Sequence, residues 1–230
     1  MIGLVRIKAV FFDLHGTLVY KKSSSEAEVV SELLFKNHYE VPPQQFEAAM
    51  QFVSIIDYPR YGYKNWRSYL KRIFCRLKMK VDAGTLHQVA QFLEGNPYLL
   101  YPDAAEAVMN AHRAGFRTAI VTTIAHFKFE RAIEPIKSCL DFVMTGYEAG
   151  VDKSNPRMYL KLLEVLNLKP EEAIMVGDDP RLGISLPKQL GIGTILLDRE
   201  GENQAEDVHP IVRDLNEALN IILSLNRRIV

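Results

Sequence analysis

The sequence predicts an α/β fold, with a parallel sheet covered by helices on both faces and an all-helical segment inserted after the first strand. Three observations carry this expectation. A wholly apolar run, Ala9-Val10-Phe11-Phe12, ends on Asp13 and turns at Gly16, as strands buried at the centre of a parallel sheet do. From Tyr98 onward short apolar strands alternate with amphipathic helices, the pattern of right-handed strand–helix–strand crossovers. Between these two regions the chain shows helical periodicity and no strand pattern. The expected division is a core of residues 1–20 and 98–230, with residues 21–97 as the insertion.

Composition sets bounds on function. The chain of 230 residues is 48% hydrophobic and 24% charged, as an ordinary soluble globular protein is. Basic and acidic residues number 28 each, so the formal net charge is zero and gives no case for nucleic acid or an acidic membrane surface as partner. Cys75 and Cys139 are too few for a disulfide framework and lack metal-ligand spacing. The apolar stretch from Val5 to Phe12 is interrupted by Arg6 and Lys8 and ends too early, at Asp13, to span a membrane. A cytoplasmic protein is the default expectation.

Taken in order, Lys21 to Ser25 reads as a polar linker. Ser25 with Glu28 makes a capping-box signature ahead of Val29, Val30, Leu33 and Leu34. Pro42-Pro43 breaks the chain and opens a second helix carrying Phe46, Ala49, Met50 and Val53. Asp57 to Lys64 reads as an aromatic, basic loop. Trp66 to Leu77 is a third helix, and Asp82 caps a fourth that stops at Gly95. Beyond Tyr98, strands are expected at 118–121, 142–144, 173–176 and 194–197, and helices at about 102–114, 127–136, 156–166, 184–190 and 215–225.

Polar residues gather where these strands end. The first offers Asp13 and His15, the second Thr122 and Thr123. The loop after the third offers Asp152, Lys153 and Ser154, and the fourth ends in Gly177-Asp178-Asp179. In a parallel sheet the carboxyl ends share one edge, where ligands bind. Two acidic ends suit a hard cation such as Mg²⁺. The lysine balances their charge, a threonine hydroxyl can donate to a phosphoryl oxygen, and Asp13 is a candidate nucleophile of the aspartyl-phosphate kind. On the first strand alone, Asp13 could equally be a turn cap.

The ordered set of Asp-x-x-Gly-Thr-Leu after an apolar strand, a strand ending in Thr, Lys-x-x-Pro-x-x-Tyr, and a strand ending in Gly-Asp-Asp resembles the haloacid dehalogenase superfamily. The resemblance spans nearly the whole chain, with the helical insertion where that family carries its cap. It implies a Rossmann-like core, a C1-type cap and the phosphatase-like branch. It further implies Asp13 as nucleophile and Mg²⁺ ligand, with the main-chain carbonyl of His15, Asp178 and Asp179 completing the metal site. Thr122 and Lys153 then orient and neutralise the transferring group. Gly16, Thr123, Arg60 and Lys64 are the expected substrate contacts.

Two positions depart from the family pattern. His15 stands where family phosphatases place a second aspartate as general acid/base, a role typically worth ~10²–10⁴-fold in rate. Its imidazole can exchange protons, or serve in packing and hydrogen bonding. Gly183 stands where a second acidic residue of the last motif is often found, with Asp179 as a substitute. The dehalogenase branch also lacks that second aspartate and needs no metal. It carries serine and asparagine where this chain has Gly177-Asp178-Asp179, whose carboxylate pair would repel a haloacid unless neutralised. The phosphonatase branch needs a cap lysine with no counterpart here.

Arg60, Tyr61, Tyr63, Lys64, Trp66 and Arg67 cluster in the insertion, either as a specificity surface facing Asp13 or as a solvated loop over the cap's own core. His15, His38, His87, His112, His126 and His209 show no zinc-ligand spacing. The expected activity is a Mg²⁺-dependent phosphatase acting on a small phosphorylated metabolite, as monomer or homodimer. The alternatives are a hydrolytic 2-haloacid dehalogenase using the same nucleophile, and a weakened scaffold kept for binding.

Overall fold

A computed structural model of the chain describes residues 6–22, 25–201 and 210–227. Ser23 and Ser24 of the expected linker, His209, and residues 1–5 lie outside the described residues. A six-stranded sheet forms the core. Its strands are β1 (Ala9–Asp13), β4 (Arg117–Val121), β5 (Phe142–Met144), β6 (Ala173–Gly177), β7 (Gly193–Leu197) and β8 (Ile211–Val212). They lie in the order β5-β4-β1-β6-β7-β8, and every pairing is parallel. β1 is central, with Phe11 opposite Ala119 on one side and Met175 on the other.

Alternation along β1 explains why it is apolar throughout. Val10 and Phe12 face a cluster with α6 (Ala104–Arg113), α7 (His126–Ile133) and α11 (Leu215–Arg227). Ala9 and Phe11 face the opposite cluster, with Met158, Tyr159, Leu162 and Leu163 of α9 (Arg157–Val165). Successive side chains of a strand point to opposite faces, so a strand covered on both sides has no polar position to spare. Truncating Phe11 to alanine would cost about 3–5 kcal/mol.

The insertion leaves and re-enters the core through a small clamp. β2 (Val19–Tyr20) and β3 (Leu99–Leu100) pair antiparallel, Val19 with Leu100. Between them run α1 (Glu26–Lys36), α2 (Pro43–Phe52), α3 (Tyr58–Tyr61), α4 (Trp66–Arg76) and α5 (Ala83–Gly95). Their apolar faces close on one another around Leu34, Phe46, Tyr69, Ile73 and Leu93. Asp82 caps α5 through the Gly84 and Thr85 amides, as its position predicts. Ser25 does stand at the N-cap of α1, but its side chain makes no capping bond.

The largest departure from the sequence reading is at 57–64. The helix does not stop after α2. It continues through a π-helical turn at Val53–Asp57 into α3, and only Gly62 to Asn65 is loop. Pro59 stands directly after the π-helical turn, at the second position of α3. Asp57 is buried and its carboxylate takes two bonds from Arg72, at 2.6 and 3.1 Å, which fixes the turn. Helical content also appears in α8 (Gly146–Ala149), and a π-helical turn at Pro180–Ser185 leads into α10 (Leu186–Gln189).

Candidate active site

Asp13 closes β1 at the carboxyl edge of the sheet and is buried, with 8% of its surface accessible. Its two carboxylate oxygens have separate partners. The Leu14 amide donates to Oδ1 at 2.6 Å, and the Lys153 ammonium bonds Oδ2. Lys153 comes from the loop after α8 and is itself only 4% exposed. The pair is therefore a buried one, where losing either partner leaves an uncompensated charge.

Asp178 follows β6 and completes the acidic edge. Burial pushes its carboxyl pKa up, and the neighbouring Asp13 charge pushes it further. Thr17 Oγ1 donates to Asp178 Oδ1 at 3.0 Å and fixes its orientation. Gly16 has φ of +75°, and a Cβ there would overlap the Asp178 carboxylate. Glycine is thus required twice at this position, by the backbone and by the acid it touches. Gly177 and Gly183 touch each other just behind Asp13, and a Cβ on Gly183 would stand 3.9 Å from Asp13 Oδ2.

The other expected residues are less uniform. Thr122 is buried at the end of β4; its Oγ1 accepts from the Ile124 amide at 3.1 Å. Thr123 beside it is half-buried. Asp179 turns its Oδ1 into the following π-helical turn, where it accepts from the Arg181 and Leu182 amides at 2.7 and 2.9 Å. His15 is exposed, its ring edge-on to Tyr98 at 5.9 Å. Arg60 and Lys64 are exposed and make no bond to the Asp13 cluster. Among the described residues no group of three His, Cys, Asp or Glu side chains is close enough to hold a metal. Two carboxylates with main-chain oxygen and water nonetheless suit Mg²⁺, which holds on to several waters and needs one or two carboxylates.

Three contributors escape the sequence reading. Thr17, which orients Asp178, lies inside the Asp-x-x-Gly-Thr-Leu motif and was signalled only by that position. Tyr159, likewise signalled only as the tyrosine of Lys-x-x-Pro-x-x-Tyr, is fully buried, its hydroxyl donating to the Leu182 carbonyl at 2.5 Å beneath the last motif. Tyr58 of α3 reaches the core, where its hydroxyl meets Thr145 Oγ1 at 3.0 Å and accepts from the His126 amide at 3.1 Å. It latches the helical insertion to the edge that carries Thr122. Nothing in its spacing distinguishes it from the other tyrosines of that segment.

A sequence model of haloacid dehalogenase-like hydrolases matches residues 7–191. The chain belongs to this family. It is 30% identical to the glyceraldehyde 3-phosphate phosphatase of Pyrococcus furiosus over 200 residues, which cover 83% of this chain and 80% of that one. It is 29% identical to the phosphoserine phosphatase of Thermus thermophilus over 132 residues, covering 56% and 53%. Among solved structures it is similar to a HAD phosphatase from Thermococcus onnurineus, with a TM-score of 0.67 at 20% identity over 94% of this chain and 98% of the other. It is equally similar to a 2-haloacid dehalogenase from Pseudomonas syringae, with a TM-score of 0.68 at 18% identity over 95% and 98%. At those identities the two structures establish the fold alone. This haloacid dehalogenase-like hydrolase thus has phosphatase-named relatives in sequence, and a backbone common to both branches.

Proposed function

We propose that this hydrolase is a Mg²⁺-dependent phosphatase that cleaves a small phosphomonoester through an aspartyl-phosphate on Asp13. The observation that carries the reading is the buried strand-end cluster in which Asp13 faces a second carboxylate, Asp178, with Lys153 as their neutralising cation. Two carboxylates and one ammonium leave a negative excess that a dehalogenase, receiving a haloacid, has no reason to keep. A hard cation corrects it. Asp13, Asp178 and the His15 carbonyl are the groups that would hold Mg²⁺, and when bound it supplies positive charge to the phosphoryl oxygens. Asp179 is committed to its turn through Oδ1 and is the weaker candidate.

In the first step an Asp13 carboxylate oxygen attacks phosphorus; the new O–P bond forms as the ester P–O bond breaks, and the leaving alkoxide takes a proton from water at the open edge. In the second, water attacks phosphorus and gives up a proton to solvent, the aspartyl O–P bond breaks, and free carboxylate and inorganic phosphate result. Lys153 holds Asp13 in place and neutralises charge, while Thr122 and Thr123 offer hydroxyls to the phosphoryl oxygens. His15 is the nearest proton-exchanging side chain after Asp13 in sequence, and its exposure toward solvent suits transfer to or from water. Residues 21–97 act as a cap over this edge, tied to the core by Tyr58. The proposed enzyme is cytoplasmic and acts as monomer or homodimer; among the described residues no helix is long and apolar enough to cross a membrane.

Hydrolysis of a generic aryl phosphate, followed with Mg²⁺ and with EDTA, tests this. Phosphate release abolished by chelation supports it. Halide release from a 2-haloacid, indifferent to EDTA, would replace it with the dehalogenase reading, and silence in both assays would favour a binding role.

A further inference from the structure

Away from the Asp13 cluster, the interface between the helical insertion and the core holds a half-buried lysine, Lys128, whose ammonium packs on aromatic rings. Lys128, on α7 of the core, places its Nζ over the rings of two residues of α4, 4.0 Å from the centroid of Tyr69 and 4.9 Å from that of Trp66. Phe127 packs edge-on against the same two rings, at 5.8 and 5.3 Å, and closes the side of the box. Among the described residues the Lys128 ammonium makes no hydrogen bond or ion pair. The carboxylate that acts on it is Glu26, which is already engaged, its Oε1 bonded by Lys21 and by the Asn96 side-chain amide at 3.0 Å.

Burial pushes the Lys128 pKa down to about 8, with Glu26 partly opposing the shift, so the side chain remains mostly protonated at neutral pH. Two aromatic faces attract a cation by roughly 0.5–2 kcal/mol, and a half-buried ammonium held this way can still take an anion from its open side.

The accessible part of Lys128 opens onto a cavity of about 280 Å³. Lys64, Lys128 and Arg131 line it against Glu94 and Glu130, leaving a positive excess, and Tyr98 forms part of the wall. Tyr98 also joins this cavity to the reacting edge, because its ring meets His15, two residues beyond Asp13. The cavity and the reacting edge thus share a wall at Tyr98.

We propose that Lys128, boxed by Trp66 and Tyr69, anchors a second anionic group of the substrate, so that the enzyme prefers phosphomonoesters whose leaving group carries a carboxylate or a further phosphate. This rests on the phosphatase reading above, and the experiment separates the two. Steady-state kcat/KM is measured for 3-phosphoglycerate, propanediol bisphosphate and glycerol 3-phosphate, which share a three-carbon chain and differ in the group at its far end. The wild type is expected to favour the first or second over the third by roughly 10- to 150-fold, the range of a hydrogen bond between charged groups. Whichever of the two is favoured identifies the anion.

Lys128→Met keeps the aliphatic stem between the rings and is expected to collapse that ratio toward one, while Lys128→Arg recovers part of it. No preference in the wild type, or an undiminished preference in Lys128→Met, would overturn the proposal. Trp66 is the single tryptophan of the chain, so its emission reports the box directly without turnover. In Asp13→Asn, 3-phosphoglycerate or the bisphosphate should shift that emission saturably and glycerol 3-phosphate should not. Adding Lys128→Met should remove the shift; a shift that survives would also overturn the proposal. A shift that depends on Lys128 in a protein whose wild type hydrolyses none of the three esters would refute the phosphatase reading and leave the anion anchor standing.

Discussion

Lys153→Met tests the construction of the site through stability alone, before any substrate is chosen. In the wild type the Lys153 ammonium bonds Asp13 Oδ2, and the two residues are 4% and 8% exposed. Removing the ammonium leaves Asp13 buried, bonded only at Oδ1 by the Leu14 amide, and next to a second carboxylate at Asp178. Breaking a buried ion pair in this one-sided way costs about 3–5 kcal/mol. For a chain of this length each kcal/mol moves Tm by roughly 2–4 °C, so differential scanning calorimetry in EDTA should show a fall of about 6–20 °C. The double variant Asp13→Asn/Lys153→Met removes both charges and should recover most of that loss, giving a large coupling energy in the cycle. Saturating Mg²⁺ should also narrow the gap, because it supplies the missing positive charge to a folded protein. A single variant with wild-type Tm, or a double variant as unstable as the single one, would refute the buried-pair account.

Gly16→Ala puts a Cβ at a positive φ and into the Asp178 carboxylate; the backbone alone should cost roughly 1–2 kcal/mol, and isothermal titration should find Mg²⁺ affinity reduced. Asp178→Asn should behave oppositely in stability and in function. Because the Asp178 pKa is raised in the folded state, the stability it contributes is complete below its unfolded value of about 3.9 and is lost as pH rises through the higher folded value. Melting curves in EDTA should therefore show the Tm of the asparagine variant rising relative to the wild type as pH increases, with hydrolysis lost throughout; a variant whose Tm falls relative to the wild type as pH rises would contradict burial and the Asp13 charge as the cause. His15→Asp installs a carboxylate at the position of the imidazole, and stopped-time phosphate assays should find a gain of up to about 10²-fold if His15 is a weak proton carrier. A clear loss would assign His15 a tuned part in proton transfer.

The core was legible because its signals are physical necessities. A strand buried on both faces has to be apolar along its length, which marks out β1, β4, β6 and β7, and the carboxyl ends of the first three bring Asp13, Thr122 and Asp178 to one edge. Lys153 lies 140 residues from Asp13 in sequence, on the loop that follows β5 and α8, and the parallel sheet order carries that loop to the same edge. The two-residue strands β2, β3 and β8 are too short to show a period and went unread. The segment at 57–64 reads as an aromatic, basic loop from its composition, whereas Pro59 stands just after a π-helical turn inside a continuing helix. Tyr58, Tyr98 and Lys128 depend on how the insertion packs on the core, and pairings between distant surfaces leave no periodic trace.

The central claim is that Asp13 carries the phosphoryl group during turnover. A phosphatase reaction in Mg²⁺ is quenched in acid within the first turnovers, and the peptide containing Asp13 is weighed by mass spectrometry. A phosphate adduct on Asp13, removed by hydroxylamine and absent in Asp13→Asn, is the predicted result. Phosphate released in the same quench from a chain whose Asp13 peptide stays unmodified, or from Asp13→Asn at a rate near the wild type, would contradict it.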